Sequence, residues 1–171
     1  GIVTITVCLF TIISAFLTAP LSQKFTTYQI SSVSIMLTIS GLIGAMLSKH
    51  FVIFVLCMIP LGLGAGAIDS VLNNYVAINY TSKHLHFLHA FWSVGAIISP
   101  IISAKFLINP EGWRNSLFII SALQAAILII TLFSRRLWKK DDICREKQEN
   151  CEENIGFFDT FKIKGVIPII F

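Results

Sequence analysis

Charge is scarce in this sequence, and acidic charge is scarcer still. Of its 171 residues, 13% are charged and 55% are hydrophobic; an ordinary soluble domain carries about 25% charged residues. Up to residue 108 the charges are Lys24, Lys49, Asp69, Lys83 and Lys105 alone. Such a chain cannot solvate a water-facing surface, which excludes an ordinary soluble enzyme or binding domain. Motifs of nucleotide and hydrolase chemistry are also missing. The Gly62-Leu63-Gly64-Ala65-Gly66 run has no Lys-Ser/Thr behind it, and neither GxSxG nor HExxH occurs. No catalytic residues and no enzyme are expected. The net charge of +4 comes without a basic patch interleaved with aromatics, so nucleic acid is not expected as a partner.

Cysteine is sparse and badly placed for metal. Cys8 and Cys57 lie in apolar runs, where a thiol acts as a small hydrophobe. Cys144 and Cys151 lie in an acidic polar stretch with no His and no CxxC pair. No metal or cofactor is expected there, and a reduced cytoplasmic loop is the simpler reading. No charged segment precedes the first apolar run, so it is not read as a signal peptide. The chain opens in one apolar segment and stops in another, and reads as a piece of a longer protein.

What is abundant is long apolar sequence. A membrane span needs about 20 such residues. Five are expected, over about 1–20, 30–47, 51–80, 85–106 and 115–134. Pro20 is expected to end the first, with 21–29 a tight turn. The third is long enough to tilt or project beyond the hydrocarbon. Pro100 lies inside the fourth, where neighbouring helices can absorb a kink. The loop 105–114 carries an Asn109-Pro110 turn signal and Trp113 at the interface. Residues 141–162 read as a central cytoplasmic loop, and 163–171 as the start of a further span. The reading is an all-α membrane protein with the lipid bilayer as its main partner.

Orientation follows from basic residues. Arg135, Arg136, Lys139 and Lys140, with Trp138 among them, place the end of the fifth span in the cytoplasm. Alternating backwards puts Lys24 and Lys83 inside, and Lys49, Lys105 and Arg114 outside. A multi-pass protein of a cell membrane, the bacterial plasma membrane, is expected.

Within the third span stands one acid, Asp69, followed by Asn73 and Asn74. A carboxylate at the bilayer centre costs roughly 2.5–3.5 kcal/mol on insertion scales. It is therefore expected to face a cavity or a partner helix rather than lipid. The four-residue step puts Asn73 on the face of Asp69, and Gly62 and Gly66 on the same stripe. A carboxyl at this depth can take up and release a proton, as proton-coupled transport requires. Its structural alternative is pairing with a neighbouring helix. Asn73 offers a donor and an acceptor to a hydroxylated solute, while Asn74 points elsewhere and packs.

In the fourth span His89, Trp92, Ser93, Ala96 and Pro100 share a face. His89 can hydrogen-bond a ligand or shuttle protons, and Trp92 can stack on an apolar ring face. Equally, Trp92 packs between helices and His89 sits at the interface. His84 and His86 are read as polar anchors; with His89 they do not converge as a metal set. Gln124, at depth in the fifth span, lines the cavity or bridges helices.

The stretch GLGAGAIDSVLNNYVAINY, followed by LHAFWSVGAIISP and a basic LWKK end, resembles transporters of the major facilitator superfamily, in the fucose-permease-like group. The resemblance implies a partial six-helix bundle made of the second to sixth helices. It implies that the first helix and a second six-helix half of the same protein are missing partners. The family works by alternating access around a midplane cavity. In the resemblance Asp69 and Asn73 match the acid and amide of the fourth helix. His89 and Trp92 stand where the family's fifth helix has Gln and Asn, a departure from the fucose pattern. The loop APLSQKFTTYQ lacks the superfamily's Gly-Asp-Arg gating signature. The expected function is a proton-coupled secondary transporter of a small polar solute, such as a sugar. The alternatives are an efflux transporter of the same fold and a non-transporting membrane sensor or scaffold.

Overall fold

The structure is a computed structural model that describes residues 1–106 and 112–135. These form five α-helices: α1 (Ile2–Lys24), α2 (Thr27–Leu47), α3 (Phe51–Asn79), α4 (Ser82–Phe106) and α5 (Gly112–Phe133). No strand occurs among the described residues. All five helices are long and apolar enough to cross a membrane. At 1.5 Å per residue, the 29 residues of α3 reach about 43 Å, against roughly 30 Å of hydrocarbon. The Asn109-Pro110 turn, the basic residues from Arg136 on, Trp138, the loop 141–162 with Cys144 and Cys151, and the run 163–171 lie outside the described residues.

The helix ends differ in places from the sequence expectation. α1 does not stop at Pro20; it continues to Lys24 and closes with the Phe25 N–H donating to the Leu21 carbonyl at 2.9 Å. A proline removes one backbone donor, and a lipid-embedded helix tolerates that loss. The turn shrinks to Phe25 and Thr26, because Thr26 and Gln29 form a capping box that starts α2 at Thr27. The Gln29 N–H donates to Thr26 Oγ1 at 3.3 Å, and the Thr26 N–H donates to Gln29 Oε1 at 3.2 Å. α4 and α5 each start about one turn earlier than their hydropathy suggests, at Ser82 and Gly112.

The interior mixes small hydroxyl side chains with the apolar Ile30, Ile35, Leu42, Met58, Val71 and Tyr75. Ser14, Thr18, Thr27, Ser31, Ser32, Ser34 and Thr38 are buried, while Ile5, Leu9, Val33, Met36, Val52 and Leu56 are exposed. In lipid there is no hydrophobic drive between helices, so small side chains gather where backbones approach and aliphatic ones face outward. α3 is the centre of this arrangement. It packs closely on α1 and on α2, α2 packs on α5, and the contacts of α4 with α3 and α5 are sparse.

Glycines make the closest approaches possible. A methyl on Gly62 would stand 2.7 Å from the Val7 carbonyl, and one on Gly66 would overlap the Thr11 carbonyl. Gly62 and Gly66 therefore seat α1, and the matching order of contacts shows α1 and α3 running parallel. Gly64, on another face, seats α2 at Ser34 and Thr38. Hydroxyls then tie the parallel pair: Thr11 Oγ1 donates to the Gly62 carbonyl at 3.3 Å, and Ser14 Oγ donates to the Leu63 carbonyl. At the opposite end of the bundle from Lys24, Arg114 Nη2 donates to the Ser48 carbonyl at 3.4 Å, and Trp113 meets Phe54 edge-on at 6.0 Å.

Candidate functional site

Asp69 is the one acid among the described residues. It lies ten residues before the end of α3, about 15 Å along the helix axis, a distance comparable to half of a roughly 30 Å hydrocarbon layer. Asn73, one turn later, donates from Nδ2 to Asp69 Oδ1 at 3.2 Å. The four-residue step that places them on one face also lets them bond. Asp69 is exposed and Asn73 is half-buried, with its own Oδ1 buried and accepting no hydrogen bond. An unpaired buried acceptor costs about 1–3 kcal/mol. The pair thus presents a carboxylate beside an amide oxygen that still lacks a donor. Asn74, off this face, is exposed.

The stripe that carries this pair begins as the α1 contact. Gly62 and Gly66 seat α1, and within one to two turns the same side of α3 turns polar. The helix changes from a surface that excludes everything to one that can hold a polar group.

The other candidate residues stand apart from this pair. His89, Trp92 and Ser93 lie on α4, where no residue is buried. Trp92 is 70% exposed. Ser93 Oγ donates to the His89 carbonyl at 3.0 Å. Gln124, on α5, is half-buried, and its Oε1 is buried without a hydrogen-bond partner. Among the described residues no hydrogen bond joins the α3 pair to the α4 group or to Gln124. His84 lies in the first turn of α4, with Nδ1 3.0 Å from Thr81 Oγ1 and its ring 5.3 Å from that of Tyr80. His86 is exposed. Among the described residues no group of three His, Cys, Asp or Glu could hold a metal; Cys8 and Cys57 are free thiols.

A cavity of about 370 Å³ lies among α1, α2 and α3. Its α3 wall is Leu63, Gly64 and Ala67. Asp69 follows Ala67 by two positions, about 200° round the helix, and is not in that wall. None of Asn73, His89, Trp92, Ser93 and Gln124 lines it either. Sequence reasoning did not single out the α1 hydroxyls, Thr11, Ser14 and Thr18, which bond to backbone carbonyls of α1 and α3. Their spacing at three and four residues on one apolar helix was the available signal.

The chain matches the sequence profile of the Major Facilitator Superfamily over residues 1–152. It is 30% identical over 127 residues to a protein named "Protein TsgA homolog" from Serratia proteamaculans (strain 568), an alignment covering 72% of this chain and 32% of that one. A "Protein TsgA homolog" from Edwardsiella ictaluri (strain 93-146) is 29% identical with the same coverage. The chain thus spans about a third of the length of these curated relatives. No solved structure matches it.

Proposed function

The chain belongs to the major facilitator superfamily, and from that we propose that it forms five consecutive helices of a proton-coupled secondary transporter for a small polar solute. A sugar is the solute class that suits the site, and the fucose-permease-like group is the branch that suits its motifs. The observation that carries this reading is the Asp69–Asn73 pair, hydrogen-bonded at 3.2 Å in the C-terminal half of α3. The carboxyl exchanges the coupling proton. Asn73, whose Oδ1 still lacks a donor, takes a solute hydroxyl. His89, Trp92 and Ser93 on the unburied face of α4, with Gln124 on α5, complete the pocket wall once the remaining helices enclose it. Lys24, Lys83 and Arg135 mark the cytoplasmic side, by the excess of basic residues there, in a bacterial plasma membrane.

The chain spans a third of its curated relatives, so the 171-residue piece alone does not move solute. The missing partners are a first helix and a second six-helix half. The test uses the full-length protein in proteoliposomes, a panel of radiolabelled hexoses, and an imposed pH gradient. Asp69→Asn is expected to lower gradient-driven accumulation about tenfold or more, each factor of ten being about 1.4 kcal/mol of lost coupling. Solute exchange without a gradient is expected to persist. Accumulation that keeps its wild-type pH dependence in this variant removes Asp69 from the mechanism.

A further inference from the structure

The cavity among α1, α2 and α3 is separate from the Asp69 site, and its lining is mostly apolar. Its walls are Leu17, Leu21, Phe25, Val33, Leu37 and Ala67, with a few hydroxyls. Two of those hydroxyls are already engaged: Ser14 donates to the Leu63 carbonyl, and Thr18 to the Ser14 carbonyl at 2.7 Å. A polar solute would find few partners there. The volume, about 370 Å³, lies within the roughly 300–1,000 Å³ of ligand pockets. Leu17, Leu21, Phe25 and Val33 are all exposed, so the slot opens sideways.

Its length and its charge point to the occupant. Along α1 the lining runs from Ser14 to Phe25, eleven residue steps or about 16 Å of helix. One leaflet of hydrocarbon is about 15 Å, half of roughly 30 Å. The length of the slot thus matches one leaflet. At its outer end stand two cations. Lys24 lies between the lining residues Leu21 and Phe25 in sequence, and the Arg135 guanidinium is 5.9 Å from the ring of Tyr28, which precedes the lining residue Gln29. The one described acid, Asp69, lies ten residues, about 15 Å of helix, before the end of α3.

We propose that this slot binds an acyl chain of an anionic phospholipid, with the headgroup held at Lys24 and Arg135. The leaflet concerned is the one on the side of these residues. The test reconstitutes the full-length protein in nanodiscs containing a phosphatidylglycerol with a mid-chain diazirine, and maps photolabelled peptides by mass spectrometry. Label is expected in 14–25 and 33–37. Val33→Trp, at the exposed rim, is expected to cut labelling about tenfold by filling the slot, equivalent to about 1.4 kcal/mol. Lys24→Gln is expected to cut it about fivefold for phosphatidylglycerol and hardly at all for a phosphatidylcholine probe. Absent label in the wild type, label unaltered by Val33→Trp, or a Val33→Cys cross-link to another helix of the same protein would each overturn the proposal. Equal labelling by the two lipids would overturn it as well. Solute uptake plays no part in these readouts, so failure here is distinct from failure of the transport reading.

Discussion

The α1–α2–α3 unit and α4 are both apolar helix, yet they hold their places by opposite means. In the three-helix unit, glycines bring backbones together and hydroxyls donate across the seams. Half of the apolar window of α2 is buried. In α4 no residue of that window is buried, and Gly95 has open space around it. The difference separates two kinds of membrane helix. One kind is buried against its neighbours within this stretch of chain; the other makes only sparse contacts with α3 and α5.

Four variants test that distinction. Gly66→Val should have the largest effect, because its side chain would overlap the Thr11 carbonyl. A loss of about 3 kcal/mol is expected, the upper range for overpacking, read from thermal denaturation in micelles. Removing the ties across the parallel seam comes next. Thr11→Ala with Ser14→Ala should lose about 1.2 kcal/mol, since one interhelical hydrogen bond in lipid averages about 0.6. Thr26→Ala breaks the capping box and should lose about 1 kcal/mol, with helix content by circular dichroism as the check. The smallest effect belongs to Gly95→Val. On this chain it should change stability by less than about 0.5 kcal/mol. A much larger loss in the full-length protein would identify the surface that covers α4 there.

Much of the fold could be read from sequence, because hydropathy reports lipid contact directly. Runs of Ile, Leu and Phe separated by Ser-Lys-His or Tyr-Thr-Ser segments leave few alternatives to membrane-spanning helices. The Asp69–Asn73 hydrogen bond follows from helical spacing alone. Pro20 misled because proline stops helices reliably in water, where the freed carbonyl can turn to solvent. In lipid the chain has no such outlet, and the helix continues. Which helices the glycines seat could not be read. Gly62, Gly64 and Gly66 look alike in sequence, and only the packing assigns the outer two to α1 and the middle one to α2. The α4 side of the candidate site was beyond reach for a different reason. His89, Trp92 and Ser93 share a face by spacing, but spacing is silent about what that face meets.

The parallel course of α1 and α3 sets an order of events at the ribosome. The glycine seam cannot close when α1 and α2 enter the bilayer; it stays unfilled until residues 62–66 have left the translocon. A chain truncated after Ser48 would therefore leave Val7 and Thr11 of α1 uncovered, open to capture by insertion factors or quality-control proteases. Only the entry of the α3 glycines into the bilayer would end that vulnerability.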